Sequence, residues 1–377
     1  MNPTPGQDVV LLLQSLVGIP SVNPLANPAP GHGGERRMAE AVAAYLIALG
    51  ALDVSLPEVL PDRPNVLGRM PSDRTGKPRI LLAPHLDTVG VCGMTVDPFA
   101  AEVRDGRVWG RGTSDTKGTM AAMLRALYEL REIIPGLDHE IWFAGLMGEE
   151  AGNEGAGWMI SSGFRAEFAV VGEPTNCDVL YAHKGAVWLR LVTKGTAEHA
   201  AVLNFSDNAI YKMADVARII RDELVPSFAA NPDPLLGPAT ASLGVIHGGR
   251  KINVVPDICE AELDIRTLPS QQGDKFITDL TALLRRGDPK VEIEVTRQHP
   301  PLLTDIGHPM MECFTRIGAK PVTASWFCDG SLLSHGGIPS VAAGPGSIAQ
   351  AHTVDEFLDI AELERGVEFY KAFLCQC

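Results

Sequence analysis

Two hydrophobic periodicities take turns along most of this 377-residue chain. Apolar positions recur at helical spacing over residues 8–18 and 36–49. In the second stretch Met38, Val42, Tyr45 and Leu46 share one stripe, and Gly50 supplies the stop. Short apolar or alternating runs at 65–69, 79–83, 101–104 and 107–109 predict strands. Residues 119–134 read as a helix, with Met120, Met123, Leu124, Leu127 and Leu130 on one face and Pro135-Gly136 at its end. A strand at 140–146 runs into an acidic loop, followed by a helix near 154–162 and a strand at 168–171. Strands alternating with helices predict an α/β fold, a mostly parallel sheet with helices on both faces.

The pattern changes near His183. Strands at 186–193, 241–246, 259–266 and 291–296 enclose helices at 207–221 and 274–285, in the order βαββαβ. That order describes a compact α+β unit of its own. It is placed at residues 183–297, inserted into a first domain made of 1–182 and 298–377. The α/β pattern then resumes with a helix at 308–317, a strand at 340–343 and a closing helix at 359–373. Two domains also suit a chain too long for one core. The segment Asn231-Pro-Asp-Pro-Leu-Leu-Gly-Pro238 reads as a turn-rich loop.

Composition narrows the function classes. A formal net charge of −14 sets aside nucleic acid and anionic membrane surfaces as partners, since both attract basic proteins. No apolar run reaches the length of a membrane span. The start, Met1-Asn-Pro-Thr-Pro-Gly-Gln-Asp8, lacks the basic region of a secretory signal. Seven irregularly spaced cysteines read as reduced thiols, which predicts a cytoplasmic protein. Cys375-Gln-Cys377 reads as a solvated tail.

Candidate chemistry sits where apolar runs end. His85 closes Ile80-Leu-Leu-Ala-Pro-His-Leu-Asp87, Glu150 closes Gly148-Glu-Glu150, and Glu173 lies in Val170-Val-Gly-Glu-Pro174. Each follows a predicted strand, and ligands in such sheets bind beyond the strands' carboxyl ends. Asp115 in Gly110-Arg-Gly-Thr-Ser-Asp115 and His352 in Ala351-His352 complete a set of two imidazoles and three carboxylates. That set suits a pair of divalent metal ions.

Alternatives stand beside each reading. His85 and Asp87 are a metal ligand with the carboxylate that orients it, or a His-Asp pair in an ordinary turn. Asp115 bridges two ions or caps a helix. A phosphate loop is excluded, because Thr116-Lys-Gly118 does not match the Gly-Lys-Ser/Thr order. Neighbouring Glu149 and Glu150 diverge in extended backbone, so one can ligate while the other addresses a water. Two solvated glutamates are the alternative, less suited to the apolar strand that precedes them. His199 reads as a surface histidine, and Arg266 as a strand arginine or a carboxylate binder.

Taken in order, Pro-His-Leu-Asp, Gly-Arg-Gly-Thr-Ser-Asp-Thr-Lys-Gly, Gly-Glu-Glu, Gly-Glu-Pro-Thr and Gln-Ala-His-Thr-Val-Asp-Glu resemble the M20 family of co-catalytic metallopeptidases and amidohydrolases. The resemblance covers essentially the whole chain, the inserted unit included. It implies two divalent metal ions, zinc with cobalt or manganese as alternatives. Asp115 would bridge them, His85 and Glu173 would complete one site, and Glu150 and His352 the other. Glu149 would be the general acid/base, with Asp87 behind His85. A cis peptide would follow Asp115. The inserted unit would be a lid that mediates a homodimer, and His199 would stabilise the tetrahedral oxyanion. Leu203 and Ser206 depart from the family's usual proline and glycine beside it. Asn253 and Arg266 would bind the substrate carboxylate, with Lys184, Gly330 and Ser331 as further pocket residues.

The implied reaction is hydrolysis of the amide bond of an N-acyl-L-amino acid or short peptide. The segments around Glu173, Lys184 and His352 resemble the acetylornithine deacetylase branch. Desuccinylases of the family carry arginine after Asp-Gly, where this chain has Ser331. A carboxypeptidase or dipeptidase shares the same site. A reading of another class, a non-catalytic binding protein on this fold, is opposed by the intact Glu149 and ligand set.

Overall fold

The computed structural model describes residues 2–26, 28–201 and 207–377. The chain divides into two compact units. The first comprises Met1–Tyr181, Thr304–Val322 and Cys328–Cys377, and the second Ala182–Leu303 with Thr323–Phe327. Leu203 and Ser206 lie outside the described residues.

The first unit opens with α1 (Val9–Val17) and α2 (Arg36–Leu49), which Gly50 ends in a left-handed conformation. Strands β1 (Leu52–Ser55), β2 (Val66–Arg69) and β3 (Arg79–Pro84) follow, then the short β4 (Glu102–Arg104) and β5 (Arg107–Trp109). Helix α3 (Lys117–Leu130) leads to β6 (Glu140–Gly145), α4 (Glu154–Ser161), β7 (Phe168–Gly172) and β8 (Val179–His183), which carries the chain into the second unit.

The second unit contains β9 (Gly185–Lys194), α5 (Ala209–Ile219), β10 (Thr240–Gly248), β11 (Ile258–Thr267), α6 (Gly273–Leu284) and β12 (Glu292–His299). Its sheet is antiparallel in the order β10-β11-β9-β12. Burial alternates along β9: Val187, Leu189 and Leu191 face the core, while Trp188 and Arg190 face outward. This is the pattern of a sheet with one covered face, and α5 and α6 pack on the covered side.

Back in the first unit come α7 (Pro309–Arg316), α8 (Gly330–His335), β13 (Ser340–Ala343), β14 (Phe357–Asp359) and α9 (Ile360–Gln376). The main sheet runs β1-β2-β6-β3-β7-β13-β8. The four central strands, β6, β3, β7 and β13, are parallel, and β1, β2 and β8 are antiparallel additions at the edges. The expected α/β class with its inserted α+β order is what the chain adopts, although only the centre of the sheet is parallel. Ile80, Leu81, Leu82 and Ala83 are all fully buried, because helices cover both faces of the central strands. Met120, Met123, Leu124 and Leu127 of α3 join that core. The ring of Phe314 on α7 stacks on Phe373 of α9 at 4.2 Å.

None of the seven cysteines forms a disulfide. The C-terminus differs from the expected tail: α9 continues to Gln376, and Cys377 Sγ donates to the Phe373 carbonyl. Among the described residues no helix is long and apolar enough to cross a membrane.

Candidate metal centre

The parallel centre of the sheet explains why distant residues meet. β3, β6 and β7 lie side by side in register, so their carboxyl ends open at one edge. His85 follows the last residue of β3, and Glu173 the last residue of β7. Glu149 and Glu150 occupy the loop after β6, Asp115 the turn before α3, and His352 the loop after β13. All belong to the first unit.

Two clusters result, and they share Asp115. One holds His85, Asp115 and Glu173; the other holds Asp115, Glu150 and His352; within each, one ligand atom per residue lies within 4.8 Å of the others. Asp115 presents one oxygen to each imidazole: Oδ1 is 3.0 Å from His85 Nε2 and Oδ2 is 3.4 Å from His352 Nε2. His352 Nε2 also meets Glu150 Oε2 at 2.9 Å, and Glu150 Oε1 accepts from the amide of Val89. Glu173 Oε1 is buried without a hydrogen-bond partner. The peptide bond between Asp115 and Thr116 is cis.

These donors fit a pair of divalent ions. Buried polar atoms are almost always satisfied, yet Glu173, clustered with His85 and Asp115, keeps one buried oxygen without a partner. Imidazole nitrogen with carboxylate oxygen is the donor mix that zinc, cobalt and manganese accept. The electrostatics point the same way. Burial, and then the Asp115 charge, push Glu150 up to about 7 against the pull of His352. Burial and Asp115 likewise raise Glu173 well above the carboxylate range. Burial also favours neutral Asp115, but hydrogen bonds from His352 and His85 outweigh it and hold the group low. His352, bonded to Asp115 and Glu150, rises to about 10. Such a concentration of shifted groups at one sheet edge marks a functional site.

Glu149 stands beside the clusters. Burial, followed by the charge of Glu173, raises its carboxyl well above the ordinary value. Its amide donates to Asp87 Oδ1 and that of Glu150 to Asp87 Oδ2, both at 3.1 Å. Asp87 also faces the far nitrogen of His85, as expected, and against burial that imidazole is the strongest influence holding its carboxyl low. The closer partner of His85 Nδ1 is the main-chain oxygen of Asp87 at 2.9 Å, with the carboxylate at 3.5 Å. The same carboxylate also clamps the Glu149-Glu150 loop and accepts from Asn23 Nδ2 at 2.8 Å. Asp115 does not cap α3, whose N-cap is Thr116 with no side-chain bond. Lys117 is buried, and its ammonium donates to the Ile19 carbonyl rather than facing an anion.

The remaining candidates separate. His199 and Asn253 are neighbours in the second unit: His199 forms a bridge with Val254, and the Ala200 amide donates to the Asn253 carbonyl. Both side chains are exposed. Arg266 lies eight residues along β11 from Ile258, roughly 27 Å of strand. It is on the outward face, paired with Asp264 at 3.1 Å. Lys184 is buried with its ammonium on the Pro238 carbonyl, and Ser331 is buried with its hydroxyl on the Cys328 carbonyl. Each of these bonds leaves further capacity, two donors on the Lys184 ammonium and the acceptor lone pairs of the Ser331 hydroxyl. Gly330 is the buried first residue of α8.

Sequence reasoning missed several groups. Asn153 Nδ2 binds Asp329 Oδ1 at 2.8 Å, tying the acidic loop to the turn before α8. Glu356 and Arg111 form a buried ion pair beneath the Asp115 turn. Glu356 belongs to the same short motif as His352, and that proximity was the available signal.

Comparison with known proteins places the chain. The model of peptidase family M20/M25/M40 matches residues 81–376. Acetylornithine deacetylase of Proteus mirabilis is 28% identical over 369 residues, covering 94% of this chain and 92% of its own. A probable succinyl-diaminopimelate desuccinylase of Staphylococcus epidermidis is 25% identical over 346 residues, covering 81% of this chain and 84% of its own. An M20 family metallo-carboxypeptidase of Sulfolobus solfataricus shares the fold with a TM-score of 0.79 at 19% identity, over 98% of each chain. The chain belongs to peptidase family M20/M25/M40 and is a metal-dependent hydrolase of amide bonds.

Proposed function

We propose that this enzyme removes the acyl group from an N-acyl-L-amino acid, releasing a carboxylate and the free amino acid. The observation that carries the proposal is the pair of ligand clusters sharing Asp115, with Glu149 beside them. His85, Asp115, Glu173, Glu150 and His352 would hold two divalent ions, which would supply Lewis acidity and lower the pKa of water from about 15.7 toward about 7. Zinc is the proposed metal, with cobalt and manganese compatible.

The chain's own residues then handle the proton. Glu149 takes it from the attacking water and delivers it to the departing amide nitrogen. Asp87 holds Glu149 in place through its amide. His199, exposed in the second unit, is proposed to donate to the developing oxyanion in a neighbouring copy. Asn253 is proposed to orient the substrate carboxylate; Arg266, already paired with Asp264, is the weaker partner for it. A homodimer through the second unit and a cytoplasmic location complete the proposal.

The acetylornithine deacetylase likeness over nearly the whole chain supports an acetyl group, and Ser331 in place of the desuccinylase arginine supports the same choice. Hydrolysis of N-acetylornithine, N-acetylcitrulline, N-succinyl-diaminopimelate and simple dipeptides, with and without added zinc, tests it. Acetylated amino acids should turn over fastest, and dipeptides fastest of all would replace the proposal with a peptidase. Glu149→Gln should keep its metal and lose about 10²–10⁴-fold in kcat. Full turnover in a metal-loaded Glu149→Gln would remove Glu149 from the reaction.

A further inference from the structure

We propose that Glu356, with Arg111, is a positioning residue that sets the geometry of the metal centre by holding the Asp115 turn and the His352 loop together. The proposal rests on the metal-centre reading given above and assigns a role to two residues that reading leaves unused.

Glu356 immediately precedes β14, whose Phe357 pairs with Trp109 of β5. That register delivers the carboxylate beneath the turn that follows β5. Both of its oxygens are fully engaged. Oε2 accepts from Arg111 Nη1 at 2.8 Å and the Gly112 amide at 3.0 Å; Oε1 accepts from the amides of Ser114 at 2.7 Å and Asp115 at 2.9 Å. The Glu356 carbonyl accepts from the Gly110 amide at 3.0 Å. Arg111 extends the connection, donating Nη2 to the Thr353 carbonyl at 3.1 Å and Nε to the Gly90 carbonyl at 3.2 Å. Both side chains are almost completely buried, 3% and 1% exposed.

One ion pair therefore touches the three segments that follow His85, precede α3 and follow His352. It reaches the main-chain nitrogen of Asp115 itself, the residue whose two oxygens must face two imidazoles. Gly112 allows the close approach: its φ is +86°, and a Cβ there would lie 2.9 Å from Thr88 Cγ2. Only an ionised carboxylate offers acceptors for four converging donors; an amide would turn its NH2 against two of them. Shells of this kind hold ligands to within about 0.5 Å of productive geometry.

The test is a Co(II) titration of metal-free wild type, Glu356→Gln and Arg111→Lys. Visible absorption reports ligand geometry, and the thermal midpoint of each metal-free protein reports folding. Wild type should take up two ions. The folded variants should bind about 10–100-fold more weakly, with altered visible bands. If Glu356→Gln does not fold, Arg111→Lys carries the test, since it keeps the charge and loses the fork. Folded variants with wild-type affinity and spectrum overturn the positioning role. A wild type that takes up no ion overturns instead the metal-centre reading beneath it.

Discussion

Individual side chains in this protein are often defined by the donors that reach them. Asp87 sits two residues from His85 and faces its far nitrogen, and its carboxylate also accepts from the amides of Glu149 and Glu150. The pairing of Asp87 with His85 was legible in the sequence because neighbours two apart in a strand share a face. The bonds to residues 149 and 150 depend on sheet order, which no local pattern carries. His299 is a second case. It is buried, stacked on Phe327 at 4.8 Å, and neither ring nitrogen has a partner. Burial, followed by the Arg297 charge, lowers its pKa to about 4. The unfolded chain protonates near 6.5, so stability is intact above that pH and is lost as pH falls toward 4. At pH 5 the loss is roughly 2 kcal/mol from this group. His299→Phe should be near neutral at pH 7 and more stable than wild type at pH 5 by about that amount. Urea denaturation at both pH values checks it, and equal pH dependence in the two proteins would refute it.

Among the elements, α3 shows how packing overrides propensity. Gly118 lies in its first turn, where alanine would gain about 1 kcal/mol of helix preference. A Cβ at that position would sit 2.2 Å from the Thr113 carbonyl oxygen and 2.5 Å from Leu358 Cδ2. The obstacle is backbone, so the clash prevails. Gly118→Ala is expected to destabilise by about 1–3 kcal/mol, measured by chemical denaturation; a stabilised variant would show that the turn yields. Several elements were legible to the residue: α2, β5 and β13 have the expected bounds. Elements at sheet edges were not. β8 and β14 pair with strands far away in the chain, so their signal is tertiary. The Glu356 clamp was hidden for the same reason, since it exists only once β14 pairs with β5.

At the scale of the molecule, the second unit leaves and returns at adjacent positions, with Ala182 paired to Leu303. Close ends are what allow an insertion without disturbing its host. Its sheet exposes Trp188, Val245, Ile246 and Val295, an apolar group suited to a partner. Light scattering should give twice the chain mass of 40.3 kDa, and Ile246→Asp should halve it; a wild-type monomer would remove the dimer and with it the oxyanion role of His199. Metal removal is the complementary test. An ion present at 1,000 times its Kd stabilises by about 4 kcal/mol, so a chelator should lower the melting temperature and zinc should restore it. Stripped protein melting at the same temperature as the zinc-supplemented form would show that the folded chain gains nothing from metal and would overturn the metal-centre reading.

The ordering of the site residues along the chain also bears on biosynthesis. His85, Asp115, Glu150 and Glu173 leave the ribosome early, whereas His352 and its clamp at Glu356 emerge only after the whole inserted unit and just before α9. Until then Asp115 and Glu150 lack the imidazole that completes their cluster. The cluster of Asp115, Glu150 and His352 is therefore complete only once the last of the three has been made, and a chain truncated before β13 should fail to retain the ions that the full chain holds.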